Sequence, residues 1–258
     1  MTLIALNGCN GRMGKVLADL ISKRSDCRVV YGIDINKDMA AEDVFPVFSA
    51  AADIPAELRA DVIIDFSHPS AVRAIVDYAI KTKTPIVIAT TGITRDDYEY
   101  MHEASKKNAI FHSANMSLGI CLLKELVKKA AIFLGSDFDV EIVERHHNQK
   151  IDAPSGTALA IADAINAACN DRYEYIYDRH SRSARRSKRE IGISAVRGGN
   201  IIGDHEVIFA GNNEVIEITH KAASRDVFAD GAVRAALFLA DKPAGFYGME
   251  SMIEEICE

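Results

Sequence analysis

The chain has 258 residues, of which 48% are apolar, and a formal net charge of −7. This length allows one large domain or two small ones with a sizeable core, and the negative charge argues against nucleic acid or an acidic membrane surface as a partner. No apolar stretch approaches the ~18 residues needed to span a bilayer, and the first residues lack the basic region of a secretory signal.

The first half of the sequence alternates short apolar strands with helix-like segments. We predict strands over residues 2–7, 28–33, 61–66, 85–89 and 109–112, and helices over 15–23, 71–81 and 95–107. Strands of nearly continuous Val and Ile are typical of a parallel sheet that is buried on both faces. The alternation therefore predicts an α/β fold with a Rossmann-type, doubly wound parallel sheet.

The pattern changes after a long helix that we predict over residues 117–134. The predicted elements that follow are a strand over 139–144, a helix over 156–168, strands over 191–197, 205–210 and 215–220, and a helix over 227–240. Three of these strands follow one another without helices, and Gly-Asn turns separate them. This half predicts a second, α+β domain with an open mixed, mostly antiparallel sheet.

A glycine-rich turn, Gly8–Gly14, joins the first strand to the first helix. Its glycines are spaced GxxGxxG, because Asn10 holds the middle position of the usual GxGxxG dinucleotide fingerprint. Glycine allows a tight turn and a close approach of the backbone to a pyrophosphate. Asparagine tolerates left-handed backbone angles better than most residues, so we expect the turn to form although Asn10 stands in place of glycine. Alone, such a turn is a weak signal.

An acidic residue in the right place strengthens the cofactor interpretation. Asp34 ends the second predicted strand, 26 residues after Gly8, where a carboxylate can bind the ribose 2′-OH of NAD(H). The chain is therefore expected to bind a nicotinamide dinucleotide. Asp34 repels a 2′-phosphate, whereas Lys37 is close enough in sequence to attract one. The choice between NADH and NADPH stays open at this stage.

Three further loops lie where ligands bind in open α/β sheets, at the carboxyl ends of strands. They are Phe66–Pro69, Ala89–Gly92 and Ser113–Ser117. The third joins the last strand of the first domain to the long helix. We expect it to line the nicotinamide and to act as a hinge.

Residues 144–158 read ERHHNQKIDAPSGTA and carry the strongest chemical signal. His146, His147 and Lys150 supply proton donors, and Pro154–Thr157 form a helix start whose N–H groups can bind an anion. The alternative is a polar loop at a strand end. A metal site is disfavoured, because HxxxH and carboxylates at ligand spacing are both missing. The segment predicts an enzyme that acts on a small anionic molecule.

The cysteines indicate a reducing compartment. All five are scattered and none has CxxC spacing, so we expect free thiols in the cytoplasm. The run 180–189 carries five Arg or Lys residues; we predict a solvated loop, with attraction of an anionic substrate as the alternative.

Motifs along nearly the whole chain resemble those of one known enzyme family. Besides the segment Glu144–Ala158, the matching stretches are Gly11–Gly14, Asp65–Pro69, Thr90–Gly92, Ala114–Gly119, Val196–Gly199, Gly203–His205, Ile218–Ala222 and Gly231–Ala236. The chain resembles the dihydrodipicolinate reductases (4-hydroxy-tetrahydrodipicolinate reductases) of bacterial diaminopimelate and lysine biosynthesis. The histidine segment is highly specific to this family, whereas the glycine loop is not.

The resemblance implies NAD(P)H-dependent reduction of a cyclic, unsaturated dicarboxylate to tetrahydrodipicolinate. His146 matches the family's catalytic acid/base, and Lys150 matches a proton donor that also pairs with a carboxylate. His147, Gly156 and Thr157 match its substrate contacts. Which of His146 and Lys150 delivers the proton stays open.

The resemblance also implies the cofactor contacts, the domain roles and the assembly. Residues 1–116 and 226–258 would form the dinucleotide-binding domain, and 117–225 a substrate-binding and oligomerisation domain. The family is usually homotetrameric through the sheets of the second domains, and its domains close over bound ligands. The implied cofactor contacts are Gly8, Cys9, Asn10, Gly11, Arg12, Met13, Asp34, Ala89, Thr90, Thr91, Ser113, Ala114, Asn115 and Met116.

Two other functions are consistent with parts of the sequence. One is an NAD(P)-dependent dehydrogenase of another small dicarboxylate, which need not carry the histidine-to-threonine segment. The other is a non-catalytic dinucleotide sensor, which needs no proton donors beside an anion site. The histidine-to-threonine segment therefore discriminates against the first, and His146 and Lys150 count against the second.

Overall fold

The computed structural model describes residues 1–36 and 45–257. The chain divides into two compact units, of which the first comprises Met1–Ser117 and Asp226–Glu258 and the second Leu118–Arg225. Each unit contains one β-sheet with its own helices.

The first unit is built on a seven-stranded sheet. Its strands are β1 (Thr2–Asn7), β2 (Cys27–Ile33), β3 (Val47–Phe48), β4 (Val62–Asp65), β5 (Ile86–Ile88), β6 (Ala109–His112) and β12 (Gly245–Tyr247). Its helices are α1 (Arg12–Ser22), α2 (Val72–Thr82), α3 (Arg95–Ala104), α6 (Asp226–Leu239) and α7 (Met249–Cys257). Elements are numbered in chain order over the whole sequence.

The strand order is β12-β6-β5-β4-β1-β2-β3, and every pairing is parallel. This confirms the predicted doubly wound sheet. The order reverses between β1 and β4, whose last residues, Asn7 and Asp65, lie opposite each other. In sheets of this kind the crevice for a ligand opens at such a reversal, beyond the carboxyl ends of the strands.

Apolar spacing explains why α1 packs on this sheet. Gly14, Leu17 and Ile21 recur at intervals of three and four residues, so they share one helix face, and all three are buried. The strands are buried on both sides, as the fully buried run Val62–Asp65 shows. Two strands and one α-helix of this unit, β3, β12 and α7, escaped prediction. The two strands are only two or three residues long and carry little periodic signal.

The second unit contains five strands and two long helices. They are α4 (Leu118–Leu134), β7 (Asp139–His146), α5 (Gly156–Ala168), β8 (Glu174–Ile176), β9 (Glu190–Arg197), β10 (Asp204–Ala210) and β11 (Val215–Lys221). Buried side chains of both helices, among them Val127 and Ile161, pack with Ile142, Ile193 and Phe209 of the sheet. The helices thus cover one face of the sheet.

The second sheet is mixed, as expected, but antiparallel pairing is not in the majority. The strand order is β11-β10-β7-β9-β8, with two antiparallel pairings (β11 with β10, β10 with β7) and two parallel ones (β7 with β9, β9 with β8). The prediction assumed that β9 and β10 are neighbours. Instead β7 lies between them, so Gly198–Asn200 begins a connection that passes β7 to reach β10. Of the two turns, Gly211–Asn213 alone closes a hairpin.

Candidate active site

The alternation of β7 places two ionisable groups on the buried face of the second sheet. Val140, Ile142, Glu144 and His146 are buried, while the residues between them are partly exposed. Successive side chains of a strand point to opposite faces, so Glu144 and His146 share the core side with the two apolar residues. A charged residue in such a position must be hydrogen-bonded or paired.

Glu144 is fully buried, and four N–H donors surround its carboxylate. Oε2 accepts hydrogen bonds from Nδ1 of His146 (2.6 Å) and from Arg197 (2.7 Å). Oε1 accepts from the second nitrogen of Arg197 (2.7 Å) and from the backbone N–H of Ser155 (2.9 Å). Burial raises the pKa of this carboxyl, but the bonds from Arg197, His146 and Ser155 outweigh burial and hold the pKa below its usual value.

His205 packs edge-on against His146, with ring centroids 5.3 Å apart. Its Nε2 lies 3.2 Å from Oγ of Ser155. Burial, followed by the neighbouring His146, lowers the pKa of His205 to about 4. His205 therefore stays neutral near pH 7 and places no positive charge beside His146.

The second ring nitrogen of His146 faces Gly203. A Cβ atom on Gly203 would lie 3.0 Å from Nε2 of His146, tighter than an ordinary contact. The absence of a side chain at this position keeps the space beside Nε2 free. Nε2 is thus the nitrogen of His146 that is available for proton transfer.

Ser155 caps α5, whose first residues are the predicted anion site. Its Oγ accepts the N–H of Ala158 at 3.2 Å, as expected of an N-cap serine. Gly156 is exposed, and a Cβ there would meet nothing within 4 Å, so the helix start is open to a ligand. Thr157 follows in the same turn, half-buried.

Lys150 and the start of α5 converge on one carboxylate, that of Asp152. Nζ of Lys150 lies 2.9 Å from Oδ1 of Asp152. Hydrogen bonding from Lys150, and more weakly from the N–H of Gly156, lowers the pKa of Asp152. Lys150 and the N–H of Gly156 are thus both placed to hold a carboxylate. His147 lies in the same turn, where its carbonyl accepts the N–H of Lys150 at 3.2 Å.

The glycine turn of the first unit has the geometry of a dinucleotide loop. Gly8 has φ +79°, and a Cβ there would lie 2.6 Å from the carbonyl oxygen of Phe66. Gly14 lets α1 approach the loop, because its Cβ would lie 2.2 Å from the carbonyl oxygen of Gly8. Gly11 is the N-cap of α1 and offers no side-chain cap, so the N–H groups of Arg12 and Met13 remain for a phosphate.

Asn10 fits the loop for a reason other than the predicted one. Its backbone is not left-handed, since the positive φ of this turn belongs to Gly8. Its amide instead donates to the carbonyl of Asn36, and its buried Oδ1 has no hydrogen-bond partner. Cys9, also in the loop, turns its thiol inward against Gly32, so only its backbone can face a ligand.

Asp34 lies beside this loop. Its two carboxylate oxygens accept the N–H groups of Asn10 and Asn36, each at 2.9 Å. The glycine cradle, the uncapped helix start and the unpartnered Oδ1 of Asn10 fit the pyrophosphate and the ribose hydroxyls of a nicotinamide dinucleotide. Lys37, the other residue predicted to influence cofactor choice, lies outside the described residues.

The buried carboxylate of Asp65 forms hydrogen bonds with residues of the other predicted cofactor loops. Asp65 accepts hydrogen bonds from Asn7 (2.6 Å), Ser67 (2.5 Å) and Thr90 (2.7 Å). Burial raises its pKa, against the lowering effect of these bonds. Ala89 and Thr90 are buried while Thr91 is exposed. Thr90 thus turns its hydroxyl inward and shapes the loop that presents Thr91.

The loop after β6 is held by local hydrogen bonds. Oγ of Ser113 donates to the carbonyl of Asn115 (2.7 Å), and Oδ1 of Asn115 accepts the N–H of Ser117 (2.9 Å). Ala114 is exposed and Met116 is buried. The predicted cofactor residues of the first unit therefore all lie beyond the carboxyl ends of β1, β2, β5 and β6, in loops or, for Arg12 and Met13, in the first turn of α1.

The basic run 180–189 is not part of the histidine cluster. Arg186 pairs with Asp139 (2.9 Å) and Glu141 (3.0 Å), and Arg179, just before the run, pairs with Glu190 (2.8 Å). These ion pairs attach the run to the ends of β7 and β9. Three of its five basic residues, Arg182, Arg186 and Lys188, thus have acidic partners within the second unit.

Three further properties bear on the kind of site. Within residues 1–36 and 45–257, no group of three or more His, Cys, Asp or Glu is arranged to hold a metal ion. In the same ranges, no helix is long and apolar enough to cross a membrane. The described cysteines, Cys9, Cys27, Cys121 and Cys169, are buried free thiols.

The sequence interpretation missed Glu144, Ser155, Arg197 and His205 as members of the histidine cluster. A signal for Glu144 was present, because it occupies an inward position in the alternation of β7. Arg197 lies opposite His146 in the parallel pairing of β7 with β9. That register joins residues 51 positions apart, so no local pattern could reveal it.

Comparison with known proteins identifies the family. The models of the dihydrodipicolinate reductase N-terminus and C-terminus match residues 2–116 and 119–253. A 4-hydroxy-tetrahydrodipicolinate reductase of Caldanaerobacter subterraneus subsp. tengcongensis is 51% identical and covers 99% of both chains. One from Clostridium perfringens is 47% identical and covers 98% of this chain and 99% of its own.

A solved structure supports the fold. The dipicolinate-bound dihydrodipicolinate reductase from Paenisporosarcina sp. TG-14 matches with a TM-score of 0.82 at 24% identity, and the match covers 97% of this chain and 98% of that one. The sequence motifs, the two family models and the identity to curated reductases agree along nearly the whole length. This chain belongs to the dihydrodipicolinate reductase family.

Proposed function

We propose that this chain reduces 4-hydroxy-tetrahydrodipicolinate to tetrahydrodipicolinate with NAD(P)H, in diaminopimelate and lysine biosynthesis, and that His146 and Lys150 handle the protons. The observation that carries the proposed site is the cluster around β7 and the start of α5. It holds an oriented histidine, a lysine and an open helix start in one unit. NAD(P)H supplies the hydride when it is bound. The residues of the chain bind, orient and protonate the substrate.

The substrate carboxylates would be held by Lys150 and by the helix start. One carboxylate lies on the N–H groups of Gly156 and Thr157, and the other lies against His147 or Lys150. The contacts of Asp152 support this assignment, because Lys150 and the N–H of Gly156 each contact a carboxylate there. Anions at a helix start gain from both the unpaired N–H groups and the helix dipole.

His146 would transfer the proton through Nε2. Its Nδ1 is occupied by Glu144, while the space beside Nε2 is kept free by Gly203. An imidazole can both donate and accept a proton, so His146 can give one to the substrate and regain one from solvent in each cycle. Lys150 binds a carboxylate and is the second proton donor of the site.

The dinucleotide would bind to the loops of the first unit. The pyrophosphate lies on Gly8, Cys9, Asn10, Gly11, Arg12 and Met13, and the adenosine ribose lies against Asp34. The nicotinamide end is lined by Ala89, Thr90, Thr91 and by Ser113, Ala114, Asn115, Met116. Because the carboxylate of Asp34 repels a 2′-phosphate, we expect NADH to be used at least as well as NADPH.

A coupled assay tests the reaction. Dihydrodipicolinate synthase, pyruvate and aspartate semialdehyde generate the substrate in situ, and the absorbance of NADH or NADPH is followed in separate reactions. We expect rapid oxidation that depends on the synthase. No oxidation of either cofactor by protein that binds NADH would contradict the proposal and favour another dicarboxylate or a sensing role. A strong preference for NADPH would contradict the role of Asp34.

Replacement of Lys150 tests the carboxylate site. We expect Lys150→Ala to lower kcat and to raise the KM for the dicarboxylate, each by about 10- to 100-fold, because a charge-assisted hydrogen bond contributes roughly 1.5–3 kcal/mol. Steady-state kinetics in the coupled assay measures both. Lys188→Ala is the matched control, since Lys188 also forms an ion pair in this unit, with Asp139 at 3.2 Å. Normal values for Lys150→Ala would refute its role.

We also propose that the enzyme is a homotetramer joined through the second sheet. The helices cover only one face of that sheet, and the other face exposes Val196 and Val215, 44% and 57% accessible. A second copy would bury this face. Light scattering on the purified protein should give four times the chain mass of 28.2 kDa; a monomer would contradict the assignment.

The reaction is assigned to the cytoplasm. The support is chemical, because the four described cysteines are free thiols and a reducing compartment preserves them. Cell fractionation with an antibody against the chain tests this, and recovery of the protein outside the cytoplasmic fraction would contradict it.

A further inference from the structure

Glu144 is an acid that is assigned no contact with the substrate, yet every donor around it belongs to the histidine cluster. Its carboxylate is completely buried and accepts four hydrogen bonds from three residues. Burying an ionised carboxylate is costly unless it is paired and hydrogen-bonded. Arg197 supplies the opposite charge through a bidentate contact at 2.7 Å on each side.

The hydrogen bond from His146 to Glu144 determines which ring nitrogen of His146 carries the proton. An ionised carboxylate can only accept, so the nitrogen that contacts Oε2 must donate. That nitrogen is Nδ1 of His146, at 2.6 Å. When His146 is neutral, its single ring proton therefore lies on Nδ1, and Nε2 carries the lone pair beside Gly203.

We propose that Glu144, kept ionised by Arg197, is a positioning residue that fixes the tautomer and the ring orientation of His146. The inference rests on the proposed function, in which Nε2 of His146 transfers the proton. After Nε2 gives its proton away, the remaining imidazole has its proton on Nδ1, where Glu144 accepts it. Carboxylates that orient a catalytic imidazole in this way are known to sustain activity without contacting the substrate.

Arg197 also links this pair to the loop that carries Lys150. The nitrogen that contacts Oε1 of Glu144 also donates to the carbonyl of Asp152 at 2.5 Å. The next residue, Gly198, donates its N–H to the carbonyl of His146 at 2.9 Å. One guanidinium thus holds Glu144 and the residue that pairs with Lys150, so we assign a positioning role to Arg197 as well.

Glu144→Gln tests the proposal with almost no change in shape. At either position the amide nitrogen would face one N–H of Arg197, but at the Oε1 position it would also face the N–H of Ser155. We therefore expect it at the Oε2 position, where it donates to Nδ1 of His146 and forces the ring proton to Nε2. We expect kcat to fall about 100-fold or more, with the affinity for NADH unchanged.

The tautomer itself is the readout that a purely structural role would not move. In histidine-selectively ¹⁵N-labelled protein, in solution or as microcrystals, the side-chain nitrogen shifts distinguish the two neutral forms. The signal of His146 is assigned by its loss in His146→Gln. We expect the Nδ1–H form in the wild type and the Nε2–H form in Glu144→Gln. Arg197→Lys, which keeps the charge, should retain the Nδ1–H form.

Glu206→Gln is the matched control. Glu206 also pairs with an arginine of this unit, Arg145, at 2.5 Å, but on the opposite face of the sheet from His146. This variant should keep both the wild-type tautomer and the wild-type kcat.

The outcomes separate this inference from the proposed function. Nε2–H as the wild-type form would overturn the inference, and that measurement needs no Glu144 variant to fold. An unchanged tautomer and kcat in Glu144→Gln would overturn it too. Full activity of His146→Gln would instead contradict the proposed role of His146 in the reaction, whichever tautomer is found.

Discussion

His146→Gln is expected to lower kcat by about 10²- to 10⁴-fold, the usual contribution of a general acid–base group. Glutamine keeps a polar side chain of similar reach, but it cannot give up a proton near neutral pH. The affinity for NADH should change little, because all proposed cofactor contacts lie in the first unit. The coupled assay gives kcat, and NADH fluorescence gives the dissociation constant.

His180→Gln is the control for this experiment. His180 is an exposed histidine of the same unit and lies outside the cluster around Glu144. The two variants therefore differ in whether the lost imidazole is oriented by a carboxylate. If His146→Gln keeps wild-type turnover, His146 has no part in proton transfer and the proposed site is wrong. A large loss of NADH affinity would show that the substitution disturbs more than the chemistry.

Much of the first unit could be predicted because its signals are local. The bounds of β1 (Thr2–Asn7) and β6 (Ala109–His112) were predicted to the residue, since both are short apolar runs next to turn residues. The start of α5 was likewise marked by Pro154 and Ser155. Each of these signals comes from a few neighbouring residues, which a single sequence displays directly.

The arrangement of the second sheet could not be predicted in the same way. Strand order depends on which non-local pairs bury the most apolar surface, and the sequence shows only that strands exist. Thus β9 inserts beside β7 in parallel, with Val140 opposite Ile191 and Ile142 opposite Ile193. The same pairing brings Arg197 to the end of β7. The sequence therefore predicted the histidines but not the arginine that organises them.

Glu144 combines a local signal, which the sequence displays, with non-local contacts, which it does not. The alternation of β7 shows that position 144 faces inward, and an inward charge requires a partner. The sequence could thus have predicted that Glu144 is paired. Its partners could not be identified from the sequence. Arg197 lies on β9, far from Glu144 along the chain, and Ser155 lies at the start of α5, across a turn from β7.

Gly14→Ala is expected to destabilise the first unit and to abolish tight NADH binding. The added Cβ would lie 2.2 Å from the carbonyl oxygen of Gly8 and 2.5 Å from that of Cys9, so backbone must move. Overpacking of this kind costs about 3 kcal/mol, and more when main-chain atoms cannot relax. Either α1 shifts away from the sheet or the loop loses its shape, and both changes displace the N–H groups proposed to hold the pyrophosphate.

Gly198→Ala makes the same chemical change where there is room. A Cβ on Gly198 would meet nothing within 4 Å, and its backbone is not left-handed. Thermal unfolding should show a lower midpoint for Gly14→Ala alone, and fluorescence titration should show its NADH affinity at least about tenfold weaker, equivalent to about 1.4 kcal/mol. If both variants unfold and bind NADH like the wild type, the close approach of α1 to the glycine turn does not exist in solution. The assignment of this turn to the pyrophosphate would then lose its structural basis, whereas the histidine cluster of the second unit would be unaffected.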